Sequence, residues 1–110
     1  MNLPHAERAF VELAKLRDYS LSATHPEGKH KARVFFAALG IGIDDAEWLR
    51  EQLLLAVLTA DCRPGLITEF GKRYTVDLTV RRGAREAKIR TGWIVRANEE
   101  FPRLVSCYVI

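Results

Sequence analysis

The feature that most constrains this chain is a change of hydrophobic period at Asp61–Gly65. Before it, apolar residues recur at intervals of three and four, the spacing of a helix face; after it, Tyr74, Val76, Leu78 and Val80 alternate strictly with Thr75, Asp77, Thr79 and Arg81. A chain that reads helix first and strand afterwards folds as α+β, with helices gathered on one face of an antiparallel sheet. The expected architecture is three N-terminal helices on one face of a three- to four-stranded antiparallel sheet. It forms a single domain over 1–110, with a helical half at 1–60 and a sheet half at 66–110.

The helical half reads as follows. Asn2 caps a first helix with Pro4 in its opening turn, and Ala6, Phe10, Leu13 and Arg17 follow at helical spacing. Asp18–Thr24 has no helical period and is expected to be extended. A second helix runs from about Lys29 to Leu39, burying Ala32, Phe35, Phe36 and Leu39, and Gly40 stops it. A capping box from Asp44 to Glu47 opens a third helix, which is apolar on most of its circumference and so is expected to be the most buried.

In the sheet half, Asp61–Gly65 is a connection, Leu66–Phe70 a short strand, and Arg82–Gly83 a turn between two long strands. Leu104–Val109 is the last strand. If Val76, Leu78, Ile89 and Trp93 face the helices, parity puts Arg73, Arg81, Lys88, Arg90 and Arg96 together on the other face. In the last strand Val105, Cys107 and Val109 form the inward set, leaving Leu104, Ser106 and Tyr108 on the open face.

Charge follows the same division. Residues 1–60 carry 7 basic and 8 acidic residues, and residues 61–110 carry 10 and 6. A basic sheet surface suggests a polyanionic partner such as nucleic acid, against the plainer alternative of a solvated face. No apolar run is long enough to span a membrane and the N-terminus lacks a basic-then-apolar signal, so a soluble cytoplasmic protein with no membrane partner is expected. Cys62 and Cys107 are too few for a disulfide framework and have no zinc-knuckle neighbours, which leaves them as reduced thiols and gives no metal site and no cofactor.

The stretch with the most site-like chemistry is His25–Gly40, HPEGKHKARVFFAALG. A turn at Pro26 and Gly28 precedes a helix whose first N–H groups lack partners, and Lys29, Lys31 and Arg33 add cations there, a combination attractive to phosphate. Those cations favour a neutral His25 that acts as general base; the plainer alternative is a His25 that hydrogen-bonds its own turn. Arg90 and Arg73 could clamp phosphate oxygens. No glycine-rich phosphate loop, nucleophile elbow or dedicated carboxylate pair is present, so kinase, dehydrogenase, serine hydrolase and glycosidase chemistry lack a basis. Cleavage of RNA by its own 2'-hydroxyl needs a base, an acid and cations but neither metal nor cofactor, and these residue types are present.

The pattern Tyr19, Leu21, His25, Pro26, Gly28, Lys31, Ala32, Phe35, Leu39 and Gly40, followed by Gly71, Tyr74, Thr91, Trp93, Pro102, Leu104, Ser106 and Tyr108, resembles a small uncharacterised domain family. Its members are short stand-alone bacterial proteins and the ends of phage-head and polymorphic-toxin proteins. The likeness covers nearly the whole chain. That family is similar in element order to the barnase, EndoU, colicin and RelE superfamily of metal-independent ribonuclease toxins. The resemblance implies a toxin of a toxin–antitoxin system that cleaves RNA, either tRNA or mRNA, with His25, Lys31, Arg90 and Ser106 at the chemistry. The resemblance adds Thr91 on the sheet side; the helix start and the open face add Lys29, Arg33, Arg73, Lys88, Arg96 and Tyr108 as expected substrate-binding residues, and the charge of that face suggests an acidic cognate antitoxin as partner. The alternative of another class is a non-enzymatic interaction module that binds an acidic protein or nucleic acid through its basic face.

Overall fold

The computed structural model describes residues 1–110. Helices precede a four-stranded antiparallel sheet, in keeping with the change of period. The helices are α1 (Leu13–Lys15), which continues into a π-helical turn at Leu16–Ser20, α2 (Lys29–Leu39) and α3 (Ala46–Val57). The strands are β1 (Cys62–Thr68), β2 (Gly71–Arg82), β3 (Arg85–Arg96) and β4 (Pro102–Val109), joined as a meander in the order β1-β2-β3-β4. Helix α3 packs on β2, and α2 packs on β3 and β4. Between the layers lies a core centred on Trp93, Phe35, Leu16, Leu49, Leu53, Ile89 and Val76. The other sheet face carries no helix.

Alternation builds that asymmetry. Val76, Leu78, Val80, Ala87, Ile89 and Trp93 are all buried, while Arg73, Thr79, Arg81, Lys88 and Arg96 are exposed. Gly83, with φ 61°, turns the β2–β3 hairpin in the left-handed region that favours glycine. Thr91 lies on the helix side with no exposed surface. Its hydroxyl donates to the Val76 carbonyl at 2.7 Å and accepts the Trp93 indole N–H at 2.8 Å, which satisfies the one polar atom of a buried tryptophan.

Several local expectations are corrected. Asn2 caps no helix: it pairs with Asp61, His5 adopts a left-handed backbone, and only a single 3₁₀ turn forms at Ala6–Arg8. Phe10 pairs in parallel with Arg103, so the segment read as a first helix is broken by a bridge to β4 and turns helical only from Leu13. The helix lies later, and its π-helical end occupies part of the segment expected to be extended. Strand β1 begins at Cys62 and runs through Pro64 and Gly65; an edge strand tolerates the missing proline donor.

The helices differ from their sequence reading as well. The cap ahead of α3 is a single side-chain bond, the Gly42 N–H donating to Asp45 Oδ2 at 2.9 Å, in place of the box expected from Asp44 to Glu47. Helix α3 buries one stripe only, Ala46, Leu49, Leu53 and Val57, with Leu55 and Leu58 exposed. Phe36 of α2 points to solvent. In β4, an irregular register between Gly92 and Trp93 inserts one residue, so Leu104 and Cys107 are both buried and Leu104 leaves the open face. No helix is long and apolar enough to cross a membrane.

Candidate functional site

The loop before α2 is held by its own side chains. Ser22 Oγ accepts the N–H groups of Thr24 and His25, at 3.4 and 3.2 Å. His25 Nδ1 accepts those of Glu27 and Gly28, at 3.0 and 2.9 Å. The Lys29 N–H then closes onto the His25 carbonyl at 3.0 Å. The donors of Glu27, Gly28 and Lys29, just before and at the helix start, are thus taken up within the loop. Gly28 presses against the π-helical turn so closely that an added Cβ would lie 2.1 Å from the Tyr19 carbonyl oxygen. Only glycine allows this approach, and it locks the loop onto Tyr19.

This lock sets the ring of Tyr19 edge-on against His25, with centroids 4.7 Å apart. Lys31, two residues into α2, then places its Nζ 5.0 Å from the Tyr19 ring centre and 5.4 Å from that of Tyr108 on β4. The negative faces of two rings attract the ammonium group, and no carboxylate pairs with it. Tyr108 lies opposite Arg90 in the register of β3 and β4. Arg90 in turn clasps Asp77 of β2 with two bonds, Nε to Oδ1 at 2.9 Å and Nη2 to Oδ2 at 3.0 Å, while Arg63 reaches the same carboxylate at 3.3 Å. A continuous row, Asp77, Arg90, Tyr108, Lys31, Tyr19, His25, runs from the middle of the open face around the β4 edge to α2.

Its electrostatics follow from these contacts. The Arg90 hydrogen bonds, aided by Arg63, hold the Asp77 carboxyl down at about 2. The same pair, with a smaller contribution from Tyr108, pushes Arg90 further above its ordinary value. His25 is constrained in a different way. A neutral imidazole has one lone pair, and here that lone pair, on Nδ1, receives two backbone donors. In that neutral form its Nε2 carries the hydrogen. Of the two readings of His25, this geometry favours the turn acceptor over the general base, because a proton on Nδ1 would displace both N–H groups.

The other predicted residues separate into three groups. Arg73, Lys88 and Arg96 are exposed on the open face with Tyr108, and Ser106 joins them through its pairing with Gly92: a Cβ on Gly92 would lie 2.6 Å from Ser106 Oγ. This face, counting Arg63, Arg103 and Glu99, carries seven cations (Arg63, Arg73, Arg81, Lys88, Arg90, Arg96, Arg103) against Asp77, Glu86 and Glu99. The excess is smaller than parity alone suggests, since Arg81 pairs with Glu86 and both Arg96 and Arg103 pair with Glu99. Thr91 is buried against Trp93 and touches no substrate surface. Lys29 and Arg33 lie on the opposite flank of α2 from Lys31, about 200° around the helix, and border a separate cleft.

Sequence reasoning missed Tyr19 and Asp77 as partners of the site. Tyr19 stands in the same motif as His25, and Asp77 is directly opposite Arg90 in a hairpin whose turn the sequence locates. Chemically, the row offers an anion the three N–H groups of Lys31, the Nε2–H of His25 and two phenol hydroxyls. It offers no free base. No group of three or more His, Cys, Asp or Glu side chains converges to hold a metal ion.

Residues 2–110 match a family described as a domain of unknown function, DUF6883, and the chain belongs to that family. Nothing among curated proteins or solved structures matches the chain.

Proposed function

We propose that this domain is an RNA-directed toxin of the cytoplasm that holds the RNA backbone on its open sheet face and breaks a phosphodiester at Lys31. The observation that carries this reading is the Lys31 ammonium, fixed between two tyrosine rings with no carboxylate partner, at the edge of a face with excess positive charge. A cation held ready in this way stabilises charge that develops on phosphate oxygens as the 2'-hydroxyl attacks. The 2'-oxygen bonds to phosphorus, the 5'-oxygen leaves with a proton from a donor of the row, and a 2',3'-cyclic phosphate results. With the His25 lone pair engaged, the attacking hydroxyl gives its proton to solvent, so the rate rises with pH. An acidic antitoxin protein suits the same face, its carboxylates taking the positions of the phosphates.

The test is incubation of purified protein with end-labelled RNA. Products ending in 2',3'-cyclic phosphate are expected, with Lys31→Ala slower by about 100-fold. Absence of such products at every pH, or equal rates for wild type and Lys31→Ala, overturns cleavage. A second reading, a non-enzymatic module that binds RNA or an acidic protein, is favoured by the engaged lone pair of His25. It is the outcome if RNA binds in a salt-dependent way and stays intact.

A further inference from the structure

The flank of α2 that faces away from Lys31 borders a half-open cleft of about 490 Å³. Its floor is apolar and buried: Leu21, Ala32 and Ile41 are 3 %, 6 % and 0 % exposed. Its lips are apolar and wet, Phe36 at 66 % and Ile43 at 48 %. The wall hydroxyls of Ser22 and Thr24 are hydrogen-bonded to each other at 3.3 Å, and Ser22 also takes backbone donors. The polar groups left without partners at the mouth are Lys29 and Arg33, one helical turn apart and without an ion pair. Gly42 lines the cleft, and a Cβ there would have no neighbour within 4 Å.

We propose that this cleft binds a small amphipathic carboxylate, its apolar body on Leu21, Ala32 and Ile41 and its carboxylate between Lys29 and Arg33. The volume lies in the range of small-molecule sites, roughly 300–1,000 Å³, and an apolar lining with a few convergent polar groups is their usual make-up. A purely apolar ligand leaves the two cations unused, and a purely polar anion leaves Phe36 and Ile43 in water. A second copy of the chain is a poor occupant, because it would bring the same two cations against their equivalents. The proposal does not depend on RNA binding: the cleft and the Lys31 row lie on different flanks of α2.

Octanoate and octan-1-ol are the probes, titrated into ¹⁵N-labelled full-length protein and followed by amide chemical shifts. Saturable shifts are expected at Leu21–Thr24, Ala32–Phe36 and Ile41–Ile43, with octanoate binding about tenfold more tightly than octanol. In the Lys29→Ala, Arg33→Ala double variant that preference disappears while weak binding of both remains. Gly42→Phe, at a position with ordinary extended backbone (φ −135°, ψ −162°), fills the mouth and abolishes binding without disturbing the amide spectrum elsewhere. Equal affinity for acid and alcohol, octanoate shifts elsewhere on the protein, or binding undiminished in Gly42→Phe overturns the proposal. A concentration-dependent dimer abolished by Gly42→Phe overturns it in favour of self-association. A glutamate–leucine peptide that displaces octanoate with higher affinity reassigns the cleft to a protein partner.

Discussion

On one flank of α2, Lys31 stands between two tyrosine rings at the sheet edge; on the other, Lys29 and Arg33 stand over an apolar cleft. All three are basic residues within five positions of one another. What separates them is rotation about the helix axis, about 100° per residue, and what each flank meets when α2 docks on β3 and β4. The Lys31 flank meets aromatic side chains at the edge of a sheet face on which Arg63, Arg81, Arg90, Arg96 and Arg103 have carboxylate partners, so its lysine is confined between two rings and has no carboxylate of its own. The Lys29 flank meets Leu21 and Ile41, so its cations serve whatever covers apolar surface. A count of positive charges treats the two flanks as one basic helix start.

The largest expected effect comes from Gly28, because the loop it locks supplies a wall to both flanks. Gly28→Ala drives a methyl into the Tyr19 carbonyl, and a loss of about 2–4 kcal/mol is expected in denaturant unfolding. Octanoate binding and RNA binding should fall together. If stability is unchanged, the close approach of loop and π-helical turn is not what orders either site.

Asp77→Asn is expected to act on one flank only. A carboxyl depressed in the folded state stabilises the fold above its ordinary value near 3.8, and that contribution is lost as pH falls towards about 2. Discounted for partial exposure, the loss on substitution is about 1–2 kcal/mol at neutral pH, and the variant should lack the part of acid destabilisation that falls between those two values. Freed from its partner, Arg90 should hold RNA more tightly while the cleft binds octanoate as before. Weaker RNA binding in Asp77→Asn would mean that the paired Arg90, and not a free one, faces the phosphate.

His25 allows a comparison between two substitutions of similar size. Asparagine places its side-chain oxygen close to where Nδ1 sits, so His25→Asn should keep the two backbone bonds that His25→Ala loses, a difference of about 1 kcal/mol in thermal unfolding. RNA cleavage should survive in the asparagine variant and drop in the alanine variant. Equal loss of cleavage in both, with asparagine stable, would restore His25 to a role in proton transfer.

The smallest expected effect separates the flanks directly. Lys31→Ala should lower the slope of log affinity for RNA against log salt by about 1, the signature of one lost phosphate contact. Lys29→Ala with Arg33→Ala should leave that slope nearly unchanged. Equal slopes for the two variants would merge the flanks into one basic surface.

Fold and site were legible to different depths for physical reasons. Period two in β2 and β3 reports which side chains share a face, so Arg73, Lys88, Arg90, Arg96, Ser106 and Tyr108 could be assigned to one surface from alternation alone. Alternation does not report a one-residue irregularity, and so Leu104 was placed outward until the Gly92–Trp93 shift turned it into the core. The N-terminal segment misled because helical spacing is only a local preference; the bridge to β4 pairs Phe10 with Arg103 across most of the chain, and that long-range pairing overrides it.

By itself, the sequence determined that helices precede an antiparallel sheet, that one sheet face is basic, and that His25, Gly28 and Lys31 belong to one motif at the start of α2. Those properties rest on period, composition and local turn chemistry, which act between near neighbours. Only the tertiary structure decided the rest: that Lys31 lies between Tyr19 and Tyr108, that Arg90 is engaged by Asp77, that the His25 lone pair is occupied, and that Lys29 and Arg33 rim a separate cleft. Each of these depends on which surfaces α2 presents once it has docked, and docking is set by packing between residues far apart in the chain, which no local pattern encodes.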